Sequence, residues 1–208
     1  MASRETDSER ALGYTAAGLL RGIWRPRILV GGLGLGFTLR ALLDRLPRDA
    51  QVVVAELLPA VVTWNRRRLG HLSGYPLLDP RVRLYVGNVA RLLNRRSFWD
   101  AILLDIDNGP EWMVWRGNQR LYHRRGLARL FKSLRPGGFL AMWSAVRSAP
   151  FEHRIASLGL RARRFINSPD QDGYGPLIYV VSSGRHPSNE LPRPGDLLDH
   201  RRRSTLRP

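Results

Sequence analysis

From residue 27 onward, short apolar runs alternate with stretches of helical periodicity, and the first junction between them is a cluster of glycines. "RILVGG" reads as an apolar strand, and "FTLRALLDRL" as an amphipathic helix closed by Pro47. "QVVVAE" is a second strand, followed by a helix over "PAVVTWNRRRLG" with Pro59 in its first turn and Gly70 at its C-terminal end. "RVRLYVG" is a third strand and "VARLLNRR" a short helix. "WDAILLDI" is a fourth strand, so uniformly apolar that both of its faces must be covered. A longer helix over "NQRLYHRRGLARLFKSL" leads through a turn into a fifth strand, "RPGGFLAMWSA". The helix "PFEHRIASLG" then precedes two strands, "LRARRFI" and "GPLIYVVSS", with no helix between them. This alternation predicts an α/β fold, a mostly parallel sheet with helices on both faces and an antiparallel last strand.

The flanks are different. Residues 9–22 place Leu12, Ala16, Leu19 and Leu20 at helical spacing, whereas residues 1–8 are polar and expected to be disordered. Residues 184–208 are Pro-rich, charged and without periodicity, which predicts a disordered basic tail. One domain over 9–183 is expected for a chain of 208 residues with 43% hydrophobic content. No apolar run reaches membrane-spanning length and the N-terminus is not signal-like, so a soluble cytoplasmic protein with no membrane partner is expected. The chain has no cysteine, which excludes disulfides, thiolate zinc sites and a cysteine nucleophile; no metal is expected. The formal charge of +17, almost all from Arg, admits nucleic acid as a partner. The basic residues are scattered in small groups such as "NRRR" and "RARR" without interleaved aromatics, so compositional bias is the favoured reading.

The glycine turn comprises Gly31, Gly32, Gly34 and Gly36. In an open α/β sheet, ligands bind beyond the carboxyl ends of the strands where the strand order reverses. Glycines there let a ligand approach the backbone, and the following helix start adds amide donors. The spacing Gly-x-Gly-x-Gly at 32, 34 and 36 departs from the dinucleotide fingerprint and points towards S-adenosylmethionine. Glu56 ends the second strand, where a carboxylate can accept both ribose hydroxyls. Asn88 follows the third strand, either to meet the adenine edge or to cap the helix starting at Val89. Asp105 and Asp107 end the fourth strand; alternation along an extended chain would turn both to one cleft. Such a pair can hold an amine and take its proton. The same residues, with Asn108, Gly109 and Pro110, also read as a turn. Trp112, Trp115 and Tyr122 follow and are candidates for an acceptor wall, or for packing alone.

Taken together, "ILVGGLGLGFTLRALL", "VVVAELLPAVVTWNR", "LYVGNVARLL", "WDAILLDIDNGP" and "LYHRRGLARLFKSLRPGG" resemble the spermidine synthase-like branch of the class I methyltransferase fold. The resemblance implies a Rossmann-like seven-stranded sheet binding S-adenosylmethionine or its decarboxylated form. It implies Glu56 on the ribose, Asn88 on the adenine, and Asp105 as the carboxylate that deprotonates an amine. The sequence also departs from that family. The Asp that polyamine synthases carry inside the glycine turn is Gly34, their adenine-binding Asp is Asn88, and their Asp-x-x-Asp-Pro loop is shortened to "DIDNGP". Their N-terminal β-hairpin domain is expected to be lacking. Val30 stands where ordinary class I methyltransferases usually carry an acidic residue, which keeps the match on the polyamine-synthase side. The expectation is a transferase moving an alkyl group, methyl before aminopropyl, from S-adenosylmethionine to a small amine or similar nucleophile. A homodimer is compatible with it. The alternatives are polyamine synthesis with the decarboxylated cofactor, an RNA or protein methyltransferase, and a non-catalytic nucleoside-binding protein.

Overall fold

The computed structural model describes residues 3–113, 115–166 and 175–183. Seven strands form one sheet: β1 Arg27–Gly31, β2 Gln51–Glu56, β3 Val82–Val86, β4 Trp99–Leu104, β5 Leu134–Ser144, β6 Arg161–Ile166 and β7 Leu177–Ser182. Their order is β3-β2-β1-β4-β5-β7-β6. The pairs from β3 through β5 are parallel, and β7 lies antiparallel between β5 and β6. The expected α/β sheet with an antiparallel last strand is the one observed.

The apolar strands are buried on both faces, each covered by its own helices. Ile28, Val30, Val52, Val54, Ala101 and Leu103 point into one core, shared with Leu12 and Ala16 of α1 (Ser3–Leu19) and with Leu39 and Leu42 of α2 (Phe37–Leu43). Val62 of α3 (Pro59–Arg67) joins the same side. Leu29, Ile102 and Leu104 point the other way, towards Leu121 and Tyr122 of α4 (Gln119–Tyr122). That second core also takes Leu127 and Leu130 of α5 (Arg124–Ser133) and Phe151 and Ile155 of α6 (Ala149–Ser157). The two-residue period of a strand thus sorts Ala101 and Leu103 from Ile102 and Leu104. Among the described residues, no helix is long and apolar enough to cross a membrane.

Several local expectations are corrected. The first helix begins at Ser3, so residues 3–8 are helical rather than disordered. The reason is continuity: the polar first turns extend a helix whose later residues Leu12, Ala16 and Leu19 are anchored in the core. Residues 184–208, expected to be disordered, lie outside the described residues. The long helix expected over 118–134 is broken at His123, whose ψ of 158° is extended. α5 packs so closely on α4 that a Cβ at Gly126 would collide with the carbonyl oxygen of Arg120. Gly70 does not end α3 but opens a 3-10 turn, Gly70–Ser73. The short helix after β3, Val89–Asn94, is also of the 3-10 type. β5 begins before the Pro-Gly turn and crosses it, with a register shift against β4 between Trp99 and Ala101.

The packing of α1 on α2 bears on the site, and Gly13 permits it. A Cβ at Gly13 would collide with the Thr38 carbonyl oxygen and stand 2.7 Å from the Leu42 amide nitrogen. In an unconstrained helix, Gly→Ala is stabilising. Here Gly13→Ala is expected to destabilise by about 1–3 kcal/mol, the usual consequence of overpacking. Denaturant unfolding measures this, and a stabilised variant would contradict the close α1–α2 contact.

Candidate functional site

The strand order reverses between β1 and β4, and the loops leaving β1, β2, β3 and β4 open onto a common crevice there. Backbone bonds carry the pairing one residue past the strand ends. Gly32 N–H donates to Ala55 O (2.8 Å), Gly87 N–H to Glu56 O (2.8 Å), and Asp105 N–H to Gly31 O (2.9 Å). The crevice is a cleft of about 470 Å³, lined among others by Gly32, Gly34, Glu56, Asn88, Asp105 and Trp115. That volume suits a ligand of nucleoside size.

The glycine turn forms the floor. Gly32, Gly34 and Gly36 all have positive φ (90°, 52° and 86°). Gly32 and Gly36 are also confined by neighbours: a Cβ at Gly32 would strike the Asp105 carbonyl, and one at Gly36 would lie 2.8 Å from Ser73 Oγ. Gly34 differs, since a Cβ there would have nothing within 4 Å and would project into open cleft. Gly31 is the last residue of β1, serving the ladder rather than the cleft. The turn is held from behind by two residues that sequence reading missed. Asn65 Nδ2 donates to Gly34 O (2.8 Å), and Ser73 Oγ donates to Leu35 O (2.8 Å).

Glu56 is buried, and each of its carboxylate oxygens accepts a backbone amide. Leu33 N–H reaches Oε2 at 2.9 Å and Leu58 N–H reaches Oε1 at 2.8 Å. The side chain therefore ties the glycine turn to the loop after β2. A carboxylate has about four acceptor positions, so each oxygen retains one for a ligand hydroxyl. Asn88 caps the 3-10 turn after β3, its Oδ1 accepting from Ala90 N–H at 2.8 Å. Its Nδ2 has no bond among the described residues, and the residue lines the cleft. Of its two sequence readings, the cap is thus directly visible.

Asp105 lines the cleft and Asp107 does not. β4 ends at Leu104, and the chain then bends, so strand alternation does not continue. Asp105 is half-buried in the cleft wall, its Oδ2 2.7 Å from Thr38 Oγ1. Burial raises its carboxyl above the ordinary range, and the Thr38 hydrogen bond opposes that rise. Asp107 turns into the protein, accepting from Asn118 Nδ2 and from the Tyr122 hydroxyl, each at 3.1 Å. Tyr122 is buried beneath the cleft and does not line it; burial, then the neighbouring Asp107, pushes its phenol well above the usual value. Trp112 is exposed and also away from the cleft, because Asn108 N–H closes a turn onto Trp112 O at 3.0 Å. Trp115 and Asn118 are the residues of this region that do line it.

No family model matches the sequence, and no curated protein sequence matches it. Solved structures do match in fold. Spermidine synthase from Thermotoga maritima superposes with a TM-score of 0.65 at 16% identity, over 88% of this chain and 62% of that one. Human methyltransferase-like protein 13 in complex with SAH gives a TM-score of 0.65 at 16% identity, over 89% of this chain and 85% of that one. The O-methyltransferase from Bacillus cereus in complex with SAH gives 0.55 at 17% identity, over 87% and 81%. This chain spans about three fifths of the length of the spermidine synthases it matches. Its seven-stranded mixed sheet with helices on both faces is the class I methyltransferase fold, shared by these spermidine synthases and methyltransferases.

Proposed function

We propose that the cleft binds S-adenosylmethionine and that the chain transfers its methyl group to a small amine or similar nucleophile. The observation that carries this reading is convergence: a bare Gly34, a carboxylate with spare acceptor positions, an unpaired amide donor and a half-buried carboxyl line one cleft. The ribose hydroxyls would meet Glu56, the adenine edge would meet Asn88 Nδ2, and the rest of the ligand would cross Gly34 towards Asp105. The bound sulfonium supplies an electrophilic carbon. The acceptor nitrogen bonds to that carbon as the carbon–sulfur bond breaks, with its electron pair leaving on sulfur. Asp105 takes the proton released from nitrogen at Oδ1, which carries no hydrogen bond among the described residues. A carboxyl raised by burial is the better base once ionised, and a cation beside it favours that ionised form. Trp115, Ile106 and Asn118 would enclose the acceptor, and an aromatic face there favours an ammonium.

Aminopropyl transfer to a diamine would call for a further anion to hold the distal ammonium. Among the described cleft residues the carboxylates are Glu56 and Asp105, and Gly34 offers only backbone. That favours methyl over aminopropyl transfer. The scattered Arg residues leave an RNA or protein acceptor as the competing substrate class.

Gly34→Val tests the ligand path. A β-branched residue at φ 52° would cost about 1–2 kcal/mol of stability, and its side chain would enter the cleft. Methylthioadenosine binding by calorimetry should be abolished in a folded variant; retained binding would mean that the ligand does not cross this turn. Asp105→Asn tests the chemistry. Its affinity for methylthioadenosine should be nearly unchanged, while turnover with a panel of amines falls by roughly 10²–10⁴, typical of general-base loss. A fully active Asp105→Asn enzyme would remove the mechanism, and efficient aminopropyl transfer to putrescine from decarboxylated S-adenosylmethionine would overturn the choice of methyl.

A further inference from the structure

Thr38 is the one polar residue among the inward-facing positions of α2, whose others are Phe37, Leu39, Ala41, Leu42 and Leu43. Its Oγ1 stands between two acceptors, 3.0 Å from the Glu9 carbonyl oxygen of α1 and 2.7 Å from Asp105 Oδ2. A hydroxyl has a single hydrogen to donate. With Asp105 ionised, Thr38 can satisfy the carboxylate or the Glu9 carbonyl, but not both. With Asp105 protonated, the chain closes: Asp105 Oδ2–H donates to Thr38 Oγ1, and Thr38 O–H donates to Glu9 O. The approach that makes this possible is the one that Gly13 allows, bringing α1 against the first turns of α2.

We propose that Thr38 is the positioning residue of Asp105: its single hydroxyl hydrogen, shared between α1 and the cleft, fixes the orientation of the carboxyl and governs when that carboxyl is ionised. The proposal rests on the reading of Asp105 as the base, and gives that base its control. Oδ2 is held against α2, so Oδ1 is the oxygen left to face an acceptor. Ionisation turns the Thr38 hydroxyl from Glu9 O to the carboxylate, a charge-assisted bond that offsets part of the burial. Among the described residues, the other groups around Asp105 supply no positive charge. Tyr122 from α4 is neutral, Asp107 is engaged by Tyr122 and Asn118, and Glu56 across the cleft is engaged by two amides. No Arg or Lys pairs with Asp105 among the described residues. Thr38 is therefore the donor on which the ionised form depends.

Thr38→Val keeps the shape and removes the hydroxyl, whereas Thr38→Ser keeps the hydroxyl. The Asp105 carboxyl is titrated by carbon-13 NMR in the full ligand-free chain, its signal assigned with Asp105→Asn. Losing a donor to a charged acceptor should raise the midpoint in Thr38→Val by about one to two pH units. Thr38→Ser should titrate as the parent does. The acid limb of the transfer rate should move upward with the midpoint in the valine variant, and return in the serine variant. Methylthioadenosine affinity should be alike in all three. A valine midpoint that is unmoved or lowered overturns the proposal. Should valine not fold, Thr38→Ala removes the same hydroxyl with less bulk, and its midpoint decides. The titration needs no turnover, so a shifted midpoint in a chain that transfers nothing would spare this proposal and refute the enzymatic reading. An unmoved midpoint beside an inactive Asp105→Asn would do the reverse.

Discussion

The two hydrogen bonds that Glu56 accepts, from Leu33 N–H and Leu58 N–H, set the shape of the cleft. Neither loop could hold its place as well without them, because the glycine turn is built from residues with large conformational freedom. A buried carboxylate is costly unless its oxygens are engaged, and here two backbone donors engage it. Backbone amides at the ends of an α/β sheet would otherwise need solvent or ligand. One side chain thus answers three requirements: its own solvation, the donors of two loops, and acceptor positions facing the cleft. Its substitution would loosen the turn as well as remove the proposed ligand contact, so Gly34 and Asp105 are cleaner probes of function.

Around that point the architecture builds outward by simple rules. β1 and β4 are buried on both faces because helices cover both faces, and their alternating residues feed two separate cores. The reversal of strand order between them leaves a crevice that no helix fills. Behind the crevice, Asn65 and Ser73 hold the carbonyls of the glycine turn, and α1 reaches the cleft through Thr38. The N-terminal helix is consequently part of the site's support and not an appendage, although it contributes no residue to the cleft lining among those described.

Much of this was legible in the sequence because it depends on local pattern. Apolar runs marked the strands, and the lack of helical periodicity in the sequence between the last two signalled an antiparallel last strand. The place of Glu56, Asn88 and Asp105 in the cleft lining was legible because Glu56 ends a strand and the other two follow one within two residues, where the chain opens onto the crevice. What was missed depends on bends and on distant contacts. Asp107 was expected to share the cleft with Asp105 by a period-two rule that stops when β4 ends at Leu104. The break at His123, where ψ is extended, brings Gly126 against the Arg120 carbonyl, a fit that helical periodicity does not show. Thr38, Asn65 and Asn118 act by hydrogen bonds to residues 67, 31 and 11 positions away. Their only local signal was a polar side chain within or beside an apolar stretch. Trp112 and Tyr122 were chosen for aromatic character, but burial removes Tyr122 from the cleft and a turn carries Trp112 out of it.

The central claim is that this cleft recognises an adenosyl sulfonium and not a dinucleotide. Calorimetric titration of the full chain with S-adenosylmethionine and, separately, with a nicotinamide dinucleotide tests it most directly. The account predicts saturable one-site binding of S-adenosylmethionine, competed by methylthioadenosine, and no binding of the dinucleotide. Dinucleotide binding in a chain that leaves S-adenosylmethionine free in solution would contradict it.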